Sequence, residues 1–319
     1  MKRIAIIDGG HDSYQCEYDL FETNGYTLDI FEGSLHDRQG KQAFAKGAVG
    51  ILVRHTLIDH EFFEGVPELK AVVRYGVGYD NVDIEAATRH GVKVANVQGY
   101  ANHSVSDHAI ALMYSCARAL KLGQQVLQSK YREPPVADIF EFHDKTLGII
   151  GLGRIGGTLC QKIKSSFRRI VAADPYIPDR RFVELGAVKV DLSTLLIESH
   201  VITLHCNLTE ETKHIIDQDA FNMMQQRPIL INTARGDVVD ERALQAALEK
   251  EVIHSAGLDV YHDEPPRHDM DAVLNRPNVI STGHYAWYSD RASVELHTRA
   301  ALNLINLLKG DIPEDCLNP

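Results

Sequence analysis

The sequence has few cysteines and no long apolar run, and both shortages exclude classes of protein. Its 319 residues include five cysteines, which are far apart, odd in number and never spaced as Cys-x-x-Cys. This pattern argues against a disulfide framework or a zinc site and is typical of reduced thiols in the cytoplasm. No window approaches the roughly 20 continuous apolar residues that a membrane span needs. We therefore expect no bound metal and no membrane partner.

Positive charge is also scarce. Lys and Arg total 33 against 44 Asp and Glu, which gives a formal net charge of -11. A nucleic-acid surface needs clustered cations to neutralise phosphates, so we expect no nucleic-acid partner. An anionic small molecule is compatible with this balance, because a local cationic pocket can exist in an acidic protein. The apolar run in MKRIAIIDGG is too brief for a signal peptide, and we expect a cytoplasmic location.

What is present is a regular alternation of short apolar runs with longer helix-like segments. The hydrophobic fraction of 44% allows a sizeable core, and the length suggests about two domains. The runs are, in order, RIAIID, YTLDIF, AVGILVR, LKAVVRYG, VKVANV, KTLGIIGLG, RIVAADP, HVITLHC, PILINTARG, HSAGLDV and NVISTGH. This alternation predicts an α/β fold with two doubly wound parallel sheets. Gly9 and Gly10, after the first run, lack a third glycine and an acidic partner, and we interpret them as a turn.

Two longer segments have the apolar spacing of helices. The first predicts an amphipathic helix over 104–130, with Asn102 or Ser104 as its N-cap. A Pro-Pro pair and scattered aromatic residues follow it, which indicates an irregular arm. The last segment, SDRASVELHTRAALNLINLLKGD, predicts one helix that is ended by Gly310 and Pro313.

A glycine-rich turn follows one of the predicted strands. Gly151, Gly153 and Gly156 form Gly-x-Gly-x-x-Gly between a β-type run and a helical pattern, the context that gives this otherwise weak motif its meaning. In that context the glycines let the backbone approach a pyrophosphate at a helix N-terminus. Asp174, after the next strand, would accept hydrogen bonds from ribose hydroxyls and favours NAD over NADP. The alternative is that Asp174 only starts a turn with Pro175.

Three polar residues follow three further predicted strands. In an open parallel sheet, ligands bind outside the carboxyl ends of the strands, and Arg235, Glu264 and His284 leave the sheet there. A carboxylate beside an imidazole favours the imidazolium and sets its tautomer, and a guanidinium suits a substrate carboxylate. Each residue also has a simpler explanation. Arg235 could pair with Asp237 or Asp240, Glu264 could be solvated, and His284 could cap a loop.

Several stretches resemble one enzyme family along nearly the whole chain. They are RYGVGYDNVD, GIIGLGRIG, HCNLTEET, INTARGDVVDE, GLDVYHDEPP and GHYAWYS. The chain resembles the D-isomer-specific 2-hydroxyacid dehydrogenases. Within them it is most similar to the branch of the C-terminal-binding proteins, because Tyr-Ala-Trp-Tyr-Ser follows His284.

The resemblance implies a domain plan and an assembly. Residues 1–98 and 291–319 would form a smaller, discontinuous flavodoxin-like substrate domain. Residues 99–290 would form an inserted Rossmann domain that binds NAD, with a dimerisation arm at about 104–145. A cytoplasmic homodimer is the implied state.

The resemblance also implies roles for individual residues. His284 would be the acid/base, Glu264 its partner, and Arg235 the anchor of substrate and transition state. The implied NAD contacts are Gly151, Leu152, Gly153, Arg154, Ile155, Gly156, Asp174, Cys206, Asn207, Leu208, Thr212, Thr233, Ala234, Arg235, Asp259, His284 and Trp287. The implied substrate contacts are Arg74, Tyr75, Gly76, Val77, Gly78, Arg235 and Trp287, with backbone N–H groups of Val77 and Gly78 on the carboxylate. Core packing is the alternative for Trp287.

The implied activity is hydride transfer between NAD and a small 2-oxo or D-2-hydroxy acid. An NAD(H)-sensing, co-repressor-like protein with weak or no turnover is the alternative. Two positions depart from the family pattern. His108 stands where the co-repressor branch often has Thr near the nicotinamide, and Gly283 stands where Pro usually precedes the catalytic His. Gly283 would leave its loop less rigid.

Overall fold

The structure, a computed structural model, describes residues 1–34, 36–128, 139 and 141–319 and separates into two units. Unit 1 consists of Met1–Tyr100 and Ser289–Pro319, and unit 2 consists of Ala101–Tyr288. Residues 129–138 and 140 of the predicted dimerisation arm lie outside the described residues.

Strands and helices alternate through both units. The first segment of unit 1 contains β1 (Lys2–Ile6), α1 (Gln15–Thr23), β2 (Tyr26–Ile30), α2 (Arg38–Ala45), β3 (Ala48–Val53), α3 (His60–Gly65), β4 (Ala71–Arg74), α4 (Ile84–Arg89) and β5 (Lys93–Ala95). Unit 2 contains α5 (Asn102–Ala117), α6 (Leu120–Gln128), β6 (Thr146–Ile150), α7 (Arg154–Ile163), β7 (Arg169–Ala173), α8 (Asp179–Leu185), β8 (Val188–Lys189), α9 (Leu192–Glu198), β9 (Val201–Leu204), α10 (Gln218–Met223), β10 (Ile229–Asn232), α11 (Glu241–Glu249), β11 (Ser255–Leu258), α12 (Asp271–Leu274) and β12 (Val279–Ser281). The last segment of unit 1 is α13 (Asp290–Lys309).

Each unit is built on one parallel sheet. Unit 1 has five strands in the order β2-β1-β3-β4-β5, which is the flavodoxin-like order. Unit 2 has seven strands in the order β12-β11-β10-β9-β6-β7-β8. The strands within each sheet pair in parallel; β6, for example, pairs Thr146 with Arg169 of β7 and Leu147 with Val201 of β9. The predicted α/β fold with two doubly wound parallel sheets is confirmed.

Burial on both faces explains why the strands are nearly continuous apolar runs. In unit 2 one face packs a cluster that includes Phe221 and Leu244, and the other packs a cluster that includes Leu112 and Leu159. In unit 1, strands β1, β3 and β4 pack against Phe62 and its neighbours. Parallel sheets that are covered by helices on both sides have this composition.

Side-chain caps begin many of the helices. The carboxylate of an Asp that precedes the helix accepts a hydrogen bond from a backbone N–H of the first turn, which satisfies one otherwise unpaired donor. These caps are Asp37, Asp59, Asp83, Asp191, Asp217 and Asp240, and Ser289 caps α13 in the same way. The C-terminal helix ends at Gly310 with a left-handed φ of 92°, as predicted.

The predicted single helix over 104–130 is wrong. Helix α5 ends at Ala117, and α6 begins at Leu120 after a break at Ala119, which has a φ of 49°. The predicted cap is wrong as well, because Ala101 precedes α5 and no side chain caps it. The apolar periodicity continues across the break, so the pattern alone did not show the change in direction. Strand β8, only two residues long, was not predicted.

None of the helices in the part of the chain that the structure describes combines the length and the apolar character of a membrane span.

Candidate active site

The glycine-rich turn joins β6 to α7 and is shaped for a close approach. Gly151 has a φ of 88°, which disfavours any residue with a Cβ. A Cβ on Gly156 would lie 2.1 Å from the carbonyl oxygen of Gly151, so helix and turn pack only because both are glycine. A Cβ on Gly153, directly before α7, would meet nothing within 4 Å. The turn therefore leaves open space at the helix N-terminus, where a phosphate group is stabilised.

Asp174 holds this turn in place. It follows β7, and its Oδ2 accepts a hydrogen bond of 2.8 Å from the backbone N–H of Leu152. Its Oδ1 accepts one of 3.0 Å from the backbone N–H of Tyr176. The carboxylate thus starts a turn and also ties the glycine-rich turn to the neighbouring strand. Arg154 and Ile155 lie in the first turn of α7.

The chain changes direction in the sheet beside this turn. From β6 it proceeds through β7 to β8, and it then crosses to β9 on the other side of β6. Such a switch point leaves a crevice outside the carboxyl ends of the strands. The residues Cys206, Asn207, Leu208 and Thr212 lie in the loop after β9, at that edge. The hydroxyl of Thr212 donates to the carbonyl oxygen of Asn207 at 2.6 Å and gives this loop its turn.

The loop after β10 carries Thr233, Ala234 and Arg235. Asn232 shapes it, because its side-chain oxygen accepts from the backbone N–H of Ala234 at 3.0 Å and its Nδ2 donates to the carbonyl oxygen of Arg235 at 2.8 Å. Gly236 follows, and a Cβ there would lie 1.9 Å from the backbone of Tyr261. The loops after β10 and β11 are therefore packed directly against each other.

Glu264 and His284, which follow β11 and β12, form a hydrogen-bonded pair. The distance from Nδ1 of His284 to Oε2 of Glu264 is 2.5 Å. Burial alone would raise the pKa of Glu264, but the hydrogen bond and charge of His284, with a smaller contribution from the positive charge of Arg235, hold it below its ordinary value. Glu264 is therefore a carboxylate near neutral pH. All three predicted catalytic side chains lie in unit 2, and the positive charge of Arg235 helps to lower the pKa of Glu264.

The backbone of His284 is held in an uncommon conformation. Its φ of 56° lies in the left-handed region, which costs a non-glycine residue about 1 kcal/mol. Buried Asp259 stabilises this turn through hydrogen bonds. Its carbonyl oxygen accepts from the N–H of His284 at 2.7 Å, and its carboxylate accepts from the N–H groups of Tyr285 at 3.2 Å and Ala286 at 2.9 Å. Half-buried Trp287 follows and meets Tyr288 edge to face, with ring centroids 5.4 Å apart.

In unit 1, the loop after β4 carries the predicted substrate contacts. Gly76 has a φ of 133°, and a Cβ there would collide with the guanidinium of Arg74, which itself donates to the carbonyl oxygen of Tyr75 at 2.8 Å. The carbonyl oxygens of Gly76 and Val77 accept hydrogen bonds within unit 1. Among the described residues, no hydrogen bond uses the backbone N–H groups of Val77 and Gly78, so they are available to an acceptor.

Sequence reasoning missed a second group at the carboxyl edge of the sheet in unit 1. His11 lies in the turn after β1, where its ring meets those of Tyr14, Tyr75 and His297. Arg54 follows β3, and its guanidinium is 3.3 Å from where a Cβ on Gly10 would lie, inside the same turn. Burial, with the charge of Arg54, lowers the pKa of His11 to about 3. The strand-end rule predicts this group when it is applied to the first sheet as well as to the second.

Comparison with known proteins identifies the family. A family model described as D-isomer specific 2-hydroxyacid dehydrogenase, NAD binding domain, matches residues 110–286. The chain belongs to this family. It is 37% identical over 265 residues to a glyoxylate reductase of Korarchaeum cryptofilum, covering 82% of this chain and 80% of the relative.

Two further proteins that this chain is similar to are named as dehydrogenases. A D-3-phosphoglycerate dehydrogenase of Archaeoglobus fulgidus is 34% identical over 293 residues, which cover 92% of this chain but only 55% of that relative's length. A crystal structure of a D-lactate dehydrogenase from Aquifex aeolicus, complexed with NAD and lactic acid, superposes with a TM-score of 0.89 at 25% identity, covering 100% and 99% of the two chains. The 2-hydroxyacid dehydrogenase fold extends over the whole of this chain.

NAD is the cofactor of this dehydrogenase, and the residues of unit 2 fit it. The family model that matches describes an NAD-binding domain. The turn at Gly151 and Gly156 is open at Gly153, and a carboxylate stands at Asp174 beside it, where the ribose of a dinucleotide is expected. Within the described ranges, no group of three or more His, Cys, Asp or Glu side chains is arranged to hold a metal ion.

Proposed function

We propose that the protein is an NAD-dependent oxidoreductase that transfers a hydride between the nicotinamide and a small 2-oxo or D-2-hydroxy acid. The observation that carries this proposal is the pair of His284 and Glu264, joined at 2.5 Å at the carboxyl edge of the sheet and within reach of the charge of Arg235. An acid/base, a partner that sets its tautomer and a cation for a carboxylate are what this reaction requires. Unit 2 would be the NAD-binding domain and unit 1 the substrate domain.

The cofactor contacts are proposed for the loops at one edge of the sheet in unit 2. When bound, NAD supplies or accepts the hydride. The residues proposed to hold it are those of the glycine-rich turn, Asp174, the loops after β9 and β10, Asp259, His284 and Trp287. Asp174 would keep its hydrogen bond from Leu152 and accept another from a ribose hydroxyl, since a carboxylate oxygen accepts more than one bond.

His284 is proposed as the acid/base. Because the pKa of Glu264 is lowered, its carboxylate accepts the hydrogen on Nδ1 of His284. Nε2 is then the nitrogen that exchanges a proton with the substrate oxygen. In the reductive direction it donates to the developing alkoxide, and in the oxidative direction it removes the hydroxyl proton.

Two sets of donors are proposed for the substrate carboxylate. In unit 2, the planar guanidinium of Arg235 can bind a carboxylate through two parallel hydrogen bonds. In unit 1, the backbone N–H groups of Val77 and Gly78 are unused among the described residues, which supports the proposal that they donate to a carboxylate. Arg74, Tyr75 and Gly76 would shape that loop.

The test is an assay of the purified protein with NADH and a panel of 2-oxo acids. The panel contains glyoxylate, pyruvate and 3-phosphohydroxypyruvate, chosen from the names of the relatives, and bulkier apolar 2-oxo acids. We expect robust loss of NADH absorbance with at least one acid and a D-2-hydroxy acid as the product, identified by chiral chromatography. The variant His284→Ala, purified by the same procedure, controls for contaminating reductases. No turnover across the panel would contradict the proposal.

The branch of the family to which the chain belongs is proposed from the residues that follow His284. Tyr285, Ala286, Trp287 and Tyr288 resemble the C-terminal-binding protein branch, and a half-buried Trp287 would suit an apolar or planar substituent on the substrate. The assay addresses this as well. A preference for bulky apolar acids over glyoxylate supports the branch, whereas tight NADH binding without turnover would instead support an NAD(H) sensor.

A cytoplasmic homodimer is proposed as the working state. Helix α6 buries none of its side chains, and Leu120 and Leu127 on it are exposed, which favours a covering partner. Two-fold dimers are the commonest assembly. All five cysteines are free, which suits a reducing compartment. Light scattering after size exclusion should give twice the chain mass of 35.6 kDa, and a monomer at all concentrations would contradict it.

A further inference from the structure

His108, one of the two departures from the family pattern, contacts the loop that presents His284. It lies on α5, and its side chain is 18% exposed. Its Nε2 is 2.9 Å from Oγ1 of Thr282, two residues before His284. Its ring also meets Tyr285 edge to face, with centroids 5.2 Å apart. A single helical side chain thus touches the loop on both sides of the proposed acid/base.

The direction of the hydrogen bonds follows from the proton count. Oγ1 of Thr282 is 2.5 Å from Oδ1 of Asp259, which also accepts from the backbone N–H of Tyr285. The hydroxyl has one hydrogen, and the short contact to the carboxylate takes it. Oγ1 must therefore accept from Nε2–H of His108. The result is a relay from His108 through Thr282 to Asp259 with every donor assigned.

The end of this relay is the group that holds the backbone of His284. Asp259 accepts from residues on both sides of His284 through its carboxylate, and from the N–H of His284 itself through its carbonyl oxygen at 2.7 Å. The left-handed turn at His284 is strained, so it persists only while these contacts over-determine it.

Gly283 increases the backbone freedom of the loop that these hydrogen bonds restrain. A Cβ on this residue would meet nothing within 4 Å, so packing does not require glycine there. Its main effect is a larger loss of backbone entropy when the loop becomes ordered. The two departures from the family pattern, Gly283 and His108, are then complementary. One loosens the loop, and the other ties it to a helix.

We propose that His108 is a positioning residue for His284, acting through Thr282 and Asp259. The proposal rests on the proposed function, in which His284 is the acid/base. His108 itself takes no part in the proton transfer.

The first test is hydrogen–deuterium exchange of the unliganded protein, which does not depend on turnover. In His108→Leu, peptides that cover 282–288 should exchange about three- to tenfold faster, as expected for one lost hydrogen bond. Peptides from β10 and β11 should be unchanged. His108→Gln, whose amide N–H can replace Nε2–H, should return the rate to within twofold of the parent. His103→Ala, an exposed histidine on the same helix, is the control.

The second test is a double-mutant cycle with Thr282→Val, which removes the middle of the relay at nearly constant volume. His108→Leu with Thr282→Val should accelerate exchange no more than the stronger single variant, because both interrupt one chain. Single-turnover hydride transfer should slow in parallel, while NADH affinity changes less than twofold. This second variant also keeps the test open if His108→Leu fails to fold.

Three results would overturn the inference: unchanged exchange of 282–288 in His108→Leu, failure of His108→Gln to restore it, or fully additive effects in the cycle. Failure of the proposed function is separable from all of them. In that case His284→Ala would leave hydride transfer unaltered while the exchange measurements still report on the tether.

Discussion

Among the residues that the structure describes, each unit contains one His–Glu pair in which Nδ1 lies 2.5 Å from a carboxylate oxygen. In unit 2, Nδ1 of His284 is 2.5 Å from Glu264, and the two side chains are 29% and 33% exposed. In unit 1, Nδ1 of His297 is 2.5 Å from Glu17, and the two are 10% and 0% exposed. The distances agree, and the surroundings differ.

The surroundings decide what each pair can do. His297 lies within α13 and Glu17 within α1, and the carboxylate also accepts from the hydroxyl of Tyr75 at 2.7 Å. Such a buried pair orders the interior of unit 1. His284 lies three residues after the end of β12 in a left-handed conformation, and its side chain is 29% exposed. A His–Glu hydrogen bond by itself therefore does not identify an acid/base, and the exposure of the two side chains is what separates the pairs.

The largest effect should come from His284→Ala. Loss of the general acid/base should slow single-turnover hydride transfer about 10² to 10⁴-fold. The midpoint of thermal unfolding should fall only slightly, because the lost hydrogen bond joins two partly exposed side chains. Stopped-flow measurement of NADH oxidation checks the rate. A rate within threefold of the parent would remove the functional distinction between the two pairs.

His297→Leu should have the opposite profile. It removes the hydrogen bond between His297 and the fully buried carboxyl group of Glu17, and the loss of a buried hydrogen bond costs about 1–3 kcal/mol. Urea denaturation should show this loss in the free energy of unfolding. His268→Leu, at a fully exposed ring, is the control for the loss of a histidine. If the folded fraction loses hydride transfer as severely as His284→Ala, the buried pair is more than structural.

Arg235→Ala sharpens the comparison at the exposed pair. The lost charge-assisted hydrogen bond is worth about 1.5–3 kcal/mol, so kcat/KM should fall at least tenfold while NADH affinity stays nearly intact. Fluorescence titration with NADH separates the two. Arg242→Ala, on the exposed side of α11, is the matched control. Collapse of NADH affinity with unchanged residual turnover would assign Arg235 to the cofactor site alone.

The smallest effect is a pH dependence at the exposed pair. The pKa of Glu264 is lowered in the folded protein, so its contribution to stability is present above its unfolded value of about 4.3 and is lost as the pH falls through the folded value. The parent should therefore unfold at a higher temperature than Glu264→Gln at pH 6, and the difference should shrink as the pH falls below the unfolded value of about 4.3. Calorimetry across this range provides the measurement, and a constant difference would contradict the lowered pKa.

Local patterns were sufficient for most of the fold. Eleven apolar runs became eleven of the strands, because strands buried on both faces need little besides apolar side chains. Gly310 ended α13 as predicted, since glycine adopts a left-handed φ without strain. The break at Ala119 was missed because a positive φ at alanine has no signature in the sequence. Strand β8 was missed because two residues are too short to show alternation.

Part of the candidate site could likewise be predicted from the sequence, and part could not. The strand-end rule selected Arg235, Glu264 and His284, and it required no knowledge of distances. The group at His11 and Arg54 was missed because the rule was applied to one sheet only. No local pattern in the sequence indicated the hydrogen bonds of His108, because Thr282 and Asp259 lie more than a hundred positions away from it in the chain.

The sequence by itself determined the two parallel sheets, the glycine-rich turn, the family and the residues that leave the strands at their carboxyl ends. These features depend on local periodicity and on spacing within a few residues. Only the tertiary structure decided that His297 meets Glu17, how exposed each pair is, and that His108 reaches the loop of His284. Burial and hydrogen bonding between distant segments arise only when the chain is packed, so no local pattern records them.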